Sequence, residues 1–352
     1  MEDAEFLALL EGFGVHEIAP GSVLEPGHDD RRRGWKTALD RAGRRGLDPT
    51  LMAWVGEQLS LLATQEATDE TRALAAETEA ALRLSWIGTV TRIPAGKRPT
   101  CDLRVGKLNV EVYCPQEHVE ERCVVEADLA GQQARAAGPV KVAVAIGHPV
   151  TGSGRKVDPQ GRVVRDADSR VLMYPANKLI DRALSSKRKA KQFPDREPNV
   201  LWLDLKHGLG LSAVSCLPLR SIVAKGTCFV GMNGVWQAFY GRTGDPILSE
   251  RTSLEYQLQP ETYGQQRNGW FRDTLKVSCA IISVFDGLVR LDNPWASMPL
   301  DPAASALLMT LSEVRPEFSW FDEEVRTLEM RVEAERRRIA WVARAQGEDG
   351  PT

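Results

Sequence analysis

The clearest pattern along the chain is an alternation between residues 101 and 114. Cys101, Leu103, Val105, Leu108, Val110, Val112 and Cys114 are apolar, and Asp102, Arg104, Asn109, Glu111 and Tyr113 are polar. A period of two puts each set on its own face of a β-ribbon. Gly106-Lys107 interrupts the alternation as a two-residue turn with Gly in the first central position. That turn predicts a register: Val105 opposite Leu108, Arg104 opposite Asn109, Leu103 opposite Val110 and Asp102 opposite Glu111.

Other segments follow different periods. Leu7, Leu9 and Leu10, and later Leu51, Met52, Trp54, Val55, Leu59, Leu61 and Leu62, recur at helical spacing, so residues 1–70 read as mostly helical, with turns at Pro20-Gly21 and Pro26-Gly27. Residues 68–84, rich in Ala, Leu and Glu, predict a longer helix. Short apolar runs at 86–93, 140–146, 200–205, 228–230, 235–240 and 277–285 predict strands, with helices near 117–136 and 176–192. Trp86, Trp202 and Trp236 lie in such runs and are expected in the core. Residues 147–171 form a polar insertion with Asp158-Pro159-Gln160-Gly161 as a hairpin tip. Residues 316–345 read as a charged amphipathic helix that caps the core or joins two copies of the chain. The expected organisation is a helical region over 1–70, an α+β core over 71–300 and a helical tail over 301–352, with a mixed central sheet flanked by helices.

Composition narrows the class without naming a function. The 352 residues carry 45 basic and 48 acidic side chains, a formal charge of −3, with 43% hydrophobic residues. This is globular composition, and any nucleic-acid surface must be a local patch. No apolar run approaches the roughly 20 residues of a spanning helix, so no membrane association is expected. The acidic start Met1-Glu2-Asp3 is unlike a signal peptide. Six cysteines without a CxxC spacing suggest reduced thiols and a cytoplasmic protein.

The chemistry enters through the hairpin. Directly opposed residues sit roughly 5 Å apart at Cβ, where like charges repel. Asp102 facing Glu111 therefore calls for a counter-charge. A divalent cation supplies one, and carboxylate oxygens suit Mg²⁺. The competing reading is that Arg104, or a basic residue from elsewhere, neutralises the pair on an open sheet face.

The order Pro99, Asp102, then Glu111-Val112-Tyr113 resembles the PD-(D/E)xK phosphodiesterase superfamily, the restriction-endonuclease-like fold. The resemblance covers about residues 75–300. It implies that Asp102 and Glu111 hold one or two Mg²⁺ (or Mn²⁺) ions. It also implies that a glutamate of the preceding helix assists, Glu77 in preference to Glu79. The lysine of the tripeptide is Tyr113 here, and a neutral phenol with pKa near 10 cannot supply that cation. On the predicted helix 177–192, Lys187 and Lys191 extend the stripe of Ile180, Ala183 and Leu184. Lys187, or next Lys191, is the conjectured replacement. The alternative is that both snorkel, stems on the core and ammonium groups in water. Residues 291–296, Leu-Asp-Asn-Pro-Trp-Ala, resemble the turn after a final strand in relatives of this fold.

Between Lys178 and Lys191 the chain has six basic residues against Asp181. Such a patch suits phosphate contacts, from Lys178, Arg182, Lys189, Lys191 and Gln192, although a solvated helix face looks the same. Gly208 to Ala213 lacks the acidic residue a dinucleotide fingerprint needs, and Ser153 stands where a P-loop has lysine. Cys114, His118 and Cys123 are irregularly spaced for zinc, and His16, His28, His148 and His207 lack ligand spacing.

The expected function is a Mg²⁺-dependent nuclease, endo- or exonuclease, acting on DNA in preference to RNA. Two rivals stand beside it. One is a degenerate member of the fold that binds nucleic acid or a protein without cleavage. The other is a scaffold in which the opposed carboxylates belong to a charge network.

Overall fold

The computed structural model describes residues 2–25, 29–93, 101–115, 192–207, 238–243, 268–284, 287–311 and 313–345, together with two short strand pairs. The chain divides into two compact units. The first comprises Met1–Gln116, Leu184–Leu217 and Trp270–Thr352; the second comprises Glu117–Ala183 and Pro218–Gly269.

The first unit begins with four helices, α1 (Glu2–Glu11), α2 (Asp29–Arg45), α3 (Pro49–Thr64) and α4 (Asp69–Leu84). α4 starts where its chemistry dictates. Thr68 is the N-cap, Thr68 and Thr71 form a reciprocal capping box, and Asp69 and Glu70 fill the first turn. The buried Ala75, Ala76, Ala80 and Ala81 lack long side chains, which lets this helix approach the sheet closely.

The sheet has six strands: β1 (Val90–Arg92), β2 (Leu103–Val105), β3 (Leu108–Tyr113), β6 (Asn199–Asp204), β9 (Cys279–Val284) and β10 (Gly287–Asp292), in the order β1-β2-β3-β6-β9-β10. β1 to β3 form an antiparallel meander, β3, β6 and β9 run parallel, and β10 returns antiparallel to β9. The hairpin register is the one the turn predicts: Leu103 faces Val110, Arg104 faces Asn109 and Val105 faces Leu108. Gly106 has φ +57°, the left-handed conformation for which the turn needs glycine.

Val110, Val112, Val200, Trp202, Cys279 and Ile281 project from one sheet face into a core shared with α1–α4. Every residue of β6, β9 and β10 is buried, so both sheet faces are covered there. After β10 come α6 (Pro302–Met309), a 3₁₀ turn at Pro316–Phe318 and α7 (Asp322–Ala345), whose Val325, Leu328 and Val332 are buried. The short α5 (Trp270–Asp273) precedes β9.

Three expectations need correction. β10 is a strand that the apolar runs do not predict; its Arg290 is buried, paired with Asp292 at 2.7 Å and donating to Ser305. Trp86 is 36% exposed rather than core, with the Arg41 guanidinium 5.7 Å from its ring centroid. Ala238 to Tyr240 are helical rather than extended. Trp236 and residues 140–146 lie outside the described residues.

In the second unit β4 (Lys156–Val157) pairs antiparallel with β5 (Val163–Val164), bracketing the expected tip at 158–161, itself outside the described residues. β7 (Val223–Ala224) pairs antiparallel with β8 (Thr227–Cys228). Among the described residues, no helix is long and apolar enough to cross a membrane.

Candidate functional site

Asp102 and Glu111 lie one position beyond the last recorded pair of the β2–β3 ladder, on the face opposite Leu103, Val110 and Val112. The hairpin orients both. The Asp102 Oδ2 accepts the backbone N–H of Val112 at 2.8 Å. Glu111 is 1% exposed and stands beside Leu201 of β6 in parallel register. Arg104 is committed elsewhere: its Nη2 donates to Glu197 at 2.8 Å and its Nε to the Gly106 carbonyl. The intra-hairpin neutralisation considered for Arg104 thus goes to Glu197 instead.

Glu77 comes from α4. Burial, and then the nearby Asp102 charge, push its carboxyl above the usual range, while the hydrogen bond and charge of Arg92 pull the other way. A buried carboxylate whose charge is opposed by a neighbouring carboxylate sits where a cation is favourable. Tyr113 is half-buried, and burial pushes its phenol up, so it remains neutral at physiological pH. Lys178, Arg182, Lys187, Lys189 and Lys191 lie outside the described residues. Gln192 is described, and its carbonyl accepts from the Cys101 thiol at 3.4 Å.

Asn293 of the Leu-Asp-Asn-Pro-Trp-Ala segment acts as a clasp. Its buried amide donates to the carbonyls of Thr274 and Val277, and its Oδ1 accepts from the Trp295 N–H. Arg272 stacks 4.1 Å from the Trp295 ring centroid. These contacts tie the end of β10 to the start of β9 and account for the segment structurally.

A second polar cluster lies buried between α2, α4 and the end of β6. Glu79, 1% exposed, is at its centre. Its Oε1 accepts from Arg83 Nε at 2.9 Å and Nη2 at 2.7 Å, and its Oε2 contacts Lys206 Nζ and, at 2.8 Å, His207 Nε2. Arg83 also pairs with Glu313. The Asp204 Oδ1 accepts the His207 N–H at 2.6 Å, and the Trp35 ring lies 5.8 Å from the His207 ring. Burial alone would raise the Glu79 pKa, but Lys206, Arg83 and His207 outweigh it and hold the carboxyl well below the usual range. The network packs tightly against α2. A Cβ on Gly34 would come within 2.9 Å of Arg83 Nη2 and of Lys206 Nζ.

Among the described residues, Glu79, Asp204 and His207 are the one group of three metal-ligating side chains that converges, with ligand atoms within 4.8 Å of one another. The structure thus separates the two glutamates weighed for the helix. Glu77 pairs with Arg92 at 3.2 Å and feels the Asp102 charge, and Glu79 belongs to the second cluster. The sequence reading missed Asp204, Lys206 and His207. The signal available was positional: Asp204-Leu205-Lys206-His207 follows directly on the apolar β6, and ligand sites gather at the carboxyl ends of parallel strands. Neither a protein-family model, nor a curated protein, nor a solved structure matches this chain.

Proposed function

We propose that the chain is a restriction-endonuclease-like protein of the PD-(D/E)xK type and hydrolyses phosphodiester bonds in DNA with Mg²⁺ or Mn²⁺. Asp102 and Glu111 would hold the metal, and Glu77 would assist. One observation carries this reading: the β2–β3 register, continued by one position, sets Asp102 across from Glu111, and the Asp102 charge reaches Glu77 of α4. The element order agrees with it, a helix, a three-strand meander and then a strand parallel to the third.

The residues fit a hard cation in donor type. A bound Mg²⁺ supplies Lewis-acid polarisation of a phosphate oxygen and of water. The protein's own contribution is positional. The Val112 N–H fixes the Asp102 head, and the pairing of β3 with both β2 and β6 fixes Glu111. Tyr113 offers a hydrogen bond in the lysine's place and no charge.

Tyr113 also supports a second reading, in which the same site binds metal and nucleic acid without cutting. A plasmid-nicking assay with Mg²⁺ and with Mn²⁺, on the full chain and on Glu111→Ala, decides between them. The expected result is metal-dependent cleavage that Glu111→Ala abolishes. Metal-dependent DNA binding without cleavage selects the second reading. Neither binding nor a rise in melting temperature with Mg²⁺ rejects both.

A further inference from the structure

The buried cluster at the end of β6 carries a chemistry the phosphodiesterase reading does not use. It contains three carboxylates, Glu79, Asp204 and Glu313, beside the basic side chains of Lys206 and Arg83. Asp204 is 1% exposed. Its Oδ1 takes the His207 N–H, and its buried Oδ2 finds no hydrogen-bond partner among the described residues. The His207 Nδ1 is likewise buried and without a partner there. A buried polar atom left unsatisfied costs about 1–3 kcal/mol, and both residues belong to the group whose ligand atoms converge within 4.8 Å.

The ring orientation explains which atom is available. The Glu79 carboxylate can only accept, so the His207 Nε2 carries the hydrogen between them. In the neutral ring, the form that ligates a metal, the Nδ1 presents a lone pair. A carboxylate behind one ring nitrogen, fixing the tautomer and ring angle for the other, is the support that metal-binding histidines use. Lys206 and Arg83 neutralise that supporting carboxylate and hold it in place.

We propose that Asp204 and His207, backed by Glu79, bind a divalent transition metal of the zinc class at the carboxyl end of β6, separate from the Asp102–Glu111 site. Imidazole nitrogen with carboxylate oxygen favours such an ion over Mg²⁺. The neighbouring elements give it a structural effect: Gly34 of α2 and Glu79 of α4 meet over this point, so the ion would clamp both helices to the sheet.

The test is a calorimetric Zn²⁺ titration of the full chain, stripped with chelator and kept in excess Mg²⁺, with Co²⁺ absorption as a second readout. Saturable binding of a single ion, a raised melting temperature and a Co²⁺ spectrum of nitrogen and oxygen ligation are expected. Asp204→Asn and His207→Gln should each weaken binding by about 10- to 100-fold. An Asp102→Asn/Glu111→Gln double variant should bind Zn²⁺ as the unaltered chain does while losing its response to Mg²⁺. The unaltered chain failing to bind Zn²⁺ in excess Mg²⁺ overturns the proposal without reliance on any variant. Loss of Zn²⁺ binding in the double variant overturns it too. Plasmid cleavage, which reads the Asp102–Glu111 site alone, is independent of either outcome.

Discussion

Glu77 and Glu79 stand two residues apart on one helix and behave in opposite ways. Glu77 is pushed above the ordinary carboxylate range by burial and by Asp102, with Arg92 as partial relief. Glu79 is more deeply buried yet is held well below that range, because Lys206, Arg83 and His207 converge on it. Burial alone therefore does not decide the state of a carboxyl group; the partners do. At Glu77 the charge is under pressure, which suits a site that gains an ion. At Glu79 the charge is compensated, which suits a framework.

The comparison is broken most directly by removing each glutamate. Glu79→Ala leaves Lys206 buried without its ion-pair partner and Arg83 with Glu313 alone, and should cost about 3–5 kcal/mol, measured by urea unfolding. Because the folded-state pKa of Glu79 is depressed, its contribution is complete above the unfolded-state value of about 4.3. That contribution is lost as pH falls through the folded value. The gap between the unaltered chain and Glu79→Ala should therefore close in acid. A gap that stays constant down to the acid limb would mean that Glu79 is not the ionised centre of the network.

Gly34→Ala probes the same framework from α2. Its Cβ would crowd the Arg83 and Lys206 cations at 2.9 Å, and about 1–3 kcal/mol of destabilisation is expected from such overpacking. Calorimetric melting reads it, and an unchanged melting temperature would show that α2 can shift freely.

Gly106→Ala addresses the strand site. A φ of +57° in the turn costs an L-residue about 1–2 kcal/mol, and Gly106→Asn should cost less, since asparagine tolerates this region. Equal losses for the two variants would argue against the observed turn.

The smallest effect is expected at Glu77. Its raised pKa means that its charged form is disfavoured in the folded chain. Its contribution is present below the unfolded value and is lost as pH rises through the folded one. Glu77→Gln should therefore stabilise the chain slightly at neutral pH, by less than about 1 kcal/mol, with the gain vanishing in acid. It should also weaken the melting-temperature response to Mg²⁺. A clear loss of stability at neutral pH would place Glu77 with Glu79 as a framework residue.

Local pattern alone carried the hairpin, its register, α4 and the apolar strands β3, β6 and β9, because each depends on neighbouring residues. The period of two orients side chains, a glycine at positive φ sets the turn, and Thr68 caps the helix it precedes. Tertiary structure decided the rest. Arg290 conceals β10 in a one-dimensional reading, since a buried arginine is recognisable only once Asp292 and Ser305 are seen around it. Which glutamate of α4 feels the Asp102 charge depends on how the helix lies on the sheet. The Glu79–Asp204–His207 cluster joins residues more than a hundred positions apart, and no local period encodes that distance. Charges that far apart in the chain find one another only because the parallel pairing of β3 with β6 delivers the end of β6 beneath α4.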